Sequence, residues 1–231
     1  MSAKADLSLQ ASGDLPSSGV SSSPLRPISF SDPKVTVDRR ADGTIYLRPQ
    51  QALVEYPARL TDSLHHWAAV APERLFMAER DHHGGWRKIT YAELLSSSHR
   101  IASSLLARDL SAERPLLILS GNSIDHALMS FGAMVAGVPF CPVSPAYSLI
   151  SKDYSKLTYL MRLLTPGLVF VEDADQFSAA LQANVSQDTE VVASRGRLSG
   201  RAVTKFSDLL ATPLRLDLDD AYRATDRKSV V

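Results

Sequence analysis

The stretch Leu116–Ser144, LLILSGNSIDHALMSFGAMVAGVPFCPVS, reads as one strand, helix, strand unit with its start and stop signals in place. Leu116 to Leu119 is an unbroken apolar run, too short for a helix and of the kind found in a parallel strand covered on both faces. Asn122 then offers an N-cap. Asp125 stands three residues on, where a carboxylate can return the capping bond and meet the helix dipole. Ile124, Ala127, Leu128, Phe131, Met134 and Val135 recur with a 3.6-residue period, and Gly137 and Pro139 end the helix. Gly132, Ala133 and Ala136 make the opposite face small rather than polar, so this helix is expected to lie close against a sheet. Phe140 to Val143 returns as a second strand, its ladder limited by Pro142, and such a crossover is right-handed almost without exception.

Working upstream, Thr90-Tyr91-Ala92-Glu93 is a capping box that opens a helix lasting to about Asp109. Leu75 to Glu79 and Trp86 to Ile89 form a hairpin, joined through Asp81, the His82-His83 pair, Gly84 and Gly85. Before it, Thr61 caps a helix with Leu64, Trp67, Ala68 and Ala71 along one side, ended by Pro72. Asp42-Gly43 is a turn ahead of a short strand, Thr44 to Leu47. Residues 1 to about 40 are rich in Ser, Pro and Gly with few large apolar groups, which predicts a disordered tail.

Downstream, a loop through Pro145 and Tyr147 leads to a helix from about Lys152 with Leu157, Leu160, Met161 and Leu164 along one stripe. Leu168 to Val171 is another fully apolar strand. A helix near Asp175 to Ala183, strands at Glu190 to Ala193 and Ala202 to Lys205, and a turn at Ser207 to Leu210 continue the alternation. Alternation of this kind means an α/β fold. The expected architecture is a mostly parallel sheet with helices on both faces and an N-terminal hairpin as an accessory layer, over residues 41–225.

Composition narrows the function classes. With 45% apolar and 22% charged side chains, 231 residues can bury a sizeable core. The formal net charge of zero gives no electrostatic footprint for nucleic acid or for an anionic membrane. Cys141 is the only cysteine, which excludes an internal disulfide and any cysteine-based zinc cluster and suits a reducing compartment. No apolar run approaches the ~20 residues of a membrane span. The N-terminal MSAKADLSLQASG lacks a signal-peptide core, and Asp6 and Asp14 argue against a transit peptide, so a cytoplasmic protein is expected.

The candidate chemical motifs mostly reduce to structure. Ser123 in SGNSID follows a strand and opens a helix as a nucleophile elbow would. An elbow, however, needs a later catalytic His, and His65, His66, His82, His83 and His99 all precede it while His126 lies on the same helix. Gly132 to Gly137 has the outer spacing of a phosphate loop but lies within a helix and is followed by Val138-Pro139. SSGVSSSP in the tail has no strand before it, no helix after it and no Lys beside it. The paired histidines diverge and lack companion carboxylates at ligand spacing, so no metal site is expected. Cys141 reads as a small apolar filler. The helix start at Asn122 to Asp125 lies beyond a strand's carboxyl end, where amides can meet an anion, but Asp125 favours capping.

Taken together, YPARLTDSLHHWAAVAPERLFMAERD, WRKITYAELLSSSHRIASSLLA, PLLILSGNSIDHALMSFGAMVAGVPFCPVSPAYS and YSKLTYLMRLLTPGLVFVED resemble, in order and spacing, the N-terminal part of the adenylate-forming, AMP-binding acid-CoA ligases. Within that family the resemblance is greatest to the bacterial feruloyl-CoA synthases, and it covers about Asp42 to Thr225. It implies an enzyme that uses ATP, Mg and CoA to convert an aromatic carboxylic acid, ferulate or a related hydroxycinnamate, to its acyl-CoA through an acyl adenylate. It also implies that the family's phosphate loop and later motifs lie outside these residues. No catalytic, cofactor-binding or metal residue is therefore carried onto this sequence, and the chain is expected to be an incomplete piece of the fold, inactive alone. Asp226 to Val231 does not match the expected continuation and is read as a non-native end. Two other readings stay open on the residues alone: a self-contained α/β module for a nucleotide or CoA, and a subunit completed by a second chain.

Overall fold

A computed structural model describes residues 34–52, 55–81 and 84–224, and the chain divides into two compact units between Tyr56 and Pro57. The first unit holds an antiparallel hairpin of β1 (Val35–Arg39) and β2 (Ile45–Pro49), with Val37 opposite Leu47. Gly43, at φ 86°, turns the chain, and Asp42 Oδ1 accepts from Thr44 N at 2.9 Å. Strand β1 corrects the last residues of the stretch expected to be disordered. Its Val-Thr-Val-Asp alternation has period two, a local signal that the Ser- and Pro-rich average conceals. Residues 1–33, His82-His83 and the end expected to be non-native, 226–231, lie outside the described residues.

The second unit is built on a five-stranded, wholly parallel sheet in the order β6-β5-β7-β8-β9, formed by β5 (Leu116–Leu119), β6 (Phe140–Pro142), β7 (Leu168–Asp173), β8 (Glu190–Arg195) and β9 (Thr204–Lys205). The two strands at its centre, β5 with LLIL and β7 with LVFV, are continuous apolar runs because they are covered on both faces. Leu116, Ile118, Leu168, Phe170 and Val192 face one core, shared with helices α2 (Tyr91–Leu106), α3 (Ile124–Ala136), α7 (Phe206–Leu210) and α8 (Leu218–Ala224). Leu117, Leu119, Val169, Val171, Val191 and Ala193 face a second core under α5 (Ser155–Leu164) and α6 (Ser178–Asn184). The strand residues of β5 are fully buried, each contributing roughly 1.5–3 kcal/mol by burial. The α/β reading, with helices on both faces, therefore holds.

Local signals explain the ends of the two longest helices. Thr90 caps α2 with its side chain accepting from Glu93 N and Glu93 returning the bond, the full capping box. Gly137 ends α3 in the left-handed conformation, φ 71°. Several expectations shift. The cap of α3 is Ser123, not Asn122: Ser123 has the extended backbone an N-cap needs, and its Oγ accepts from His126 N at 3.1 Å. The small face of α3 packs on α2 rather than the sheet, with Gly132 directly against Ile101. Thr61, ahead of α1 (Asp62–Val70), does not cap it. Its backbone is already helical and its hydroxyl instead donates to Tyr222 Oη at 3.0 Å. The loop through Tyr147 contains a short helix, α4 (Ala146–Leu149), so α5 starts later than Lys152.

The expected hairpin of β3 (Leu75–Arg80) and β4 (Trp86–Thr90) is antiparallel, with Glu79 opposite Arg87. Phe76 meets Phe131 of α3 and Tyr91 of α2 edge-on, at 5.6 and 5.0 Å between ring centres. This docking brings the hairpin's charged side chains to the start of α3.

Candidate functional site

From β5 the chain crosses through α3 to β6 on one side, then through α4 and α5 to β7 on the other. The strand order thus reverses between β5 and β7, and α3 and α5 lie against opposite faces. In open α/β sheets ligands bind in the crevice outside the carboxyl ends of the strands at this point. Two loops form it here, Ser120–Ser123 after β5 and the end of β7 at Glu172 and Asp173. They lie close: a side-chain carbon on Gly121 would stand 4.0 Å from Glu172 Oε2.

The polar groups of the crevice are tied to one another. Ser120, almost fully buried, donates to Gly121 O at 3.0 Å, and His126 Nδ1 lies 3.0 Å from the same carbonyl, so Nδ1 carries the proton. Arg195 at the end of β8 spans both acids, Nη1 to Glu172 Oε1 and Nε to Asp173 Oδ2, each at 3.0 Å. Burial alone would push the Asp173 carboxyl up. The amides of Gln176 and Asp175 and the Arg195 guanidinium outweigh it and hold the group below the usual range.

A cleft of about 400 Å³ adjoins the crevice, lined by Met77, Glu79, Asn122, Ser123, His126 and Ser130. Here the start of α3 is already supplied with acceptors. Glu79 Oε2 accepts from Ile124 N at 2.7 Å, and Ser123 takes the His126 amide. Arg87 then joins Glu79 at 3.1 Å to Asp125 at 2.6 Å. Burial would lower the Arg87 guanidinium, but these two carboxylates more than offset it and raise it. The helix start considered for an anion is thus filled by the chain's own carboxylate and hydroxyl, in keeping with the capping reading.

The remaining candidates fall apart in space. Ser123 and His126 are joined through a backbone amide, and the imidazole is turned to Gly121 O, so no nucleophile and base pair forms. His65 packs at a tilt against His99 and Tyr222, whereas His66 lies edge-on to Trp67. Among the described residues no three His, Cys, Asp or Glu side chains converge to hold a metal ion. Cys141 is half-buried on β6, and burial raises its thiol, which disfavours a reactive thiolate.

Among the described residues, the charged groups at the crevice do not fit a nucleoside triphosphate with its cation. Arg87 and Arg195 are each committed to two carboxylates, and the α3 amides at Ile124 and His126 are occupied.

Residues 64–222 match the family model described as AMP-binding enzyme. The chain belongs to the AMP-binding enzyme family. No curated protein is significantly similar to it. Among solved structures it is similar to the luciferase-like enzyme of the nonluminescent mealworm Zophobas morio, at 16% identity and a TM-score of 0.53, over 74% of this chain and 38% of that one. It is also similar to a protein described as a long-chain-fatty-acid CoA ligase of Rhodopseudomonas palustris, at 20% identity and 0.52, over 68% and 37%. A third is the A domain of a carboxylic acid reductase of Segniliparus rugosus, solved with AMP and a co-purified carboxylic acid, at 16% and 0.51, over 68% and 31%. At these identities the likeness shows the fold, a part of the adenylate-forming fold, and this chain spans about a third of the length of those structures.

The sequence reading missed the Glu79–Arg87–Asp125 bridge. Its first half was legible, since Glu79 and Arg87 are cross-strand neighbours in the hairpin register. Its second half depends on the docking of the hairpin on α2 and α3, through Phe76 against Tyr91 and Phe131, and has no local signal.

Proposed function

We propose that this chain is the N-terminal α/β portion of a cytoplasmic aryl-CoA ligase, acting as scaffold rather than catalyst. The whole protein would join a hydroxycinnamate such as ferulate to the α-phosphate of ATP, release pyrophosphate, and pass the acyl group to the CoA thiol with loss of AMP. The family match over residues 64–222 carries the proposal. The complex of the Segniliparus rugosus domain with AMP and a carboxylic acid supports acid activation as the chemistry. The preference for a hydroxycinnamate rests on the resemblance of the four stretches quoted above.

In this reading the chain's own contribution is positional. The β5 and β7 loops form the floor of the crevice, with Arg195 holding Glu172 and Asp173 in place and Glu79 fixing the start of α3. Adenylate formation needs cations and oriented amides aimed at the charge that builds on the phosphate, and at this crevice Arg87, Arg195 and the amides of Ile124 and His126 are already bound.

ATP–pyrophosphate exchange tests the proposal. Residues 1–231 with ferulate should give no exchange, because losing even one such donor costs roughly 10²–10³-fold in rate. A version extended to the length of the related structures should show exchange that depends on ferulate. Ferulate-dependent exchange by the 231-residue chain would refute the scaffold reading and favour a self-contained module. An extended protein active only with non-aromatic acids would refute the substrate assignment while leaving the reaction class standing.

A further inference from the structure

The chain after α7 runs back across α2 as a strap. Arg100 Nη1 donates to Thr212 O at 3.4 Å, and Arg215 N donates to Ser103 Oγ at 3.1 Å. The strap ends in α8, whose Leu218 and Tyr222 are buried. Tyr222 is the clasp. Its hydroxyl donates to Asp62 Oδ1 at 2.5 Å and accepts from Thr61 Oγ1 at 3.0 Å, while Arg59 lies over the ring, 4.3 Å from its centre. Arg59 also binds Asp62 through Nε at 3.1 Å and reaches the carbonyls of Tyr222 and Arg223.

Two imidazoles form the seat of this clasp. His65 of α1 stands with its ring centre 5.0 Å from Tyr222 and 5.3 Å from His99 of α2, and its buried Nε2 has no hydrogen-bond partner among the described residues. We propose that His65 and His99 make the strap a pH-responsive device: acidification opens the clasp between α8 and α1 while the sheet beneath stays folded.

The groups facing the two rings are Asp62 and Arg59 at the start of α1, Asp219 and Tyr222 on α8, and each imidazole itself. Burial is the largest influence on both rings and disfavours their charged forms. For His99 the neighbouring His65 adds to it. Asp62 and Asp219 offset burial at His65 only in part, as Asp219 does at His99, and Arg59 opposes them at His65. Asp62 is in any case engaged on both oxygens by Tyr222 and Arg59. Both rings therefore hold protons less readily in the closed clasp than in water, where imidazole titrates near pH 6.5. The clasp has its full strength above about pH 7 and loses it as pH falls through and below ~6.5, because opening lets water reach the imidazolium.

Amide hydrogen exchange on the 231-residue chain, corrected for intrinsic rates, reads this directly. Between pH 7.5 and 5.5 protection in residues 218–224 should fall by about tenfold for each imidazole that stays neutral when closed, while β5 and β7 keep theirs. The double variant His65→Gln, His99→Gln should lose that dependence. Tyr222→Phe should lower protection at every pH and keep the slope. Unchanged protection of α8, an equal fall in β5 and β7, or a slope retained in the double variant would each overturn the proposal. Should the double variant fail to fold, the imidazole proton shifts of the native chain decide: titration of both His65 and His99 at or above pH 6.5 would overturn it.

Discussion

Gly132 sits in the middle of α3, where alanine would ordinarily be the better helix former by about 1 kcal/mol. A side-chain carbon there would stand 2.7 Å from Ile101 Cβ and closer still to its Cγ2, and Ile101 is fully buried and branched at that carbon. Overpacking a fixed contact costs about 1–3 kcal/mol, so the clash exceeds the helix gain. Gly132→Ala should lower the denaturation free energy, and Ile101→Ala in the same chain should recover part of the loss attributable to the clash; a Gly132→Ala chain more stable than the parent would show that the two helices separate freely. At the other end of α3 the two cap candidates can be told apart. Ser123→Ala should cost about 1 kcal/mol, as losing an N-cap acceptor does, whereas Asn122→Ala should change little. Adjacent Asn and Ser before an apolar run are equal on sequence. What separates them is the backbone, extended at Ser123 with φ −150° and ψ 164°.

Between elements, Arg108 just after α2 grips Glu190 at the start of β8 with two bonds, 2.7 and 2.9 Å, and Thr204 of β9 donates to the same carboxylate at 2.8 Å. Burial alone would push the Glu190 carboxyl up, but these three donors hold it below its ordinary 4.5. A folded group held low contributes stability that is present above its unfolded value and lost as pH falls through the folded one. With the two side chains 23% and 32% exposed, solvent screening limits the pair to about 1 kcal/mol. Glu190→Gln should therefore cost about that much at pH 7, and the two unfolding curves should draw together as pH falls below 4.5; a gap that does not narrow there would mean the loss was packing, not charge. Elements of this kind mark the limit of sequence reading. The central β5-α3-β6 unit, the capping box at Thr90 and the hairpin of β3 and β4 are legible because short-range patterns specify them. Helix α8 is not: its Leu218 and Tyr222 stand four apart in the acidic run LDLDDAY, and what orders them is docking on α1 and α3. The same holds for Asp125, whose carboxylate reads as a capping group but is drawn to Arg87 from 38 residues away.

For the molecule as a whole the question is which surface it leaves uncovered. The strand reading alone expects an open sheet edge to drive association. The edges found are short: β6 has three residues, including Pro142 without a donor, and β9 has two, ending in Lys205. Such edges pair poorly with another strand. Large apolar side chains are exposed at several places among the described residues, and one group of them lies on and beside α4 and α5, where Leu149 is 40%, Ile150 77%, Tyr159 64% and Leu163 62% exposed. Burying even two such side chains between copies is worth roughly 1.5–3 kcal/mol each, enough to outweigh what a two-residue edge can offer. The isolated chain should therefore bind a hydrophobic dye and associate as concentration rises, with these helices as the contact. The double variant Ile150→Lys, Leu163→Glu should reduce both effects, and Lys205→Val, which removes the charge from the β9 edge, should add little to either. Sedimentation across a tenfold concentration range separates the two surfaces: if association survives the helix variant but grows sharply in Lys205→Val, the sheet edge is the sticky surface after all, and the helices are not.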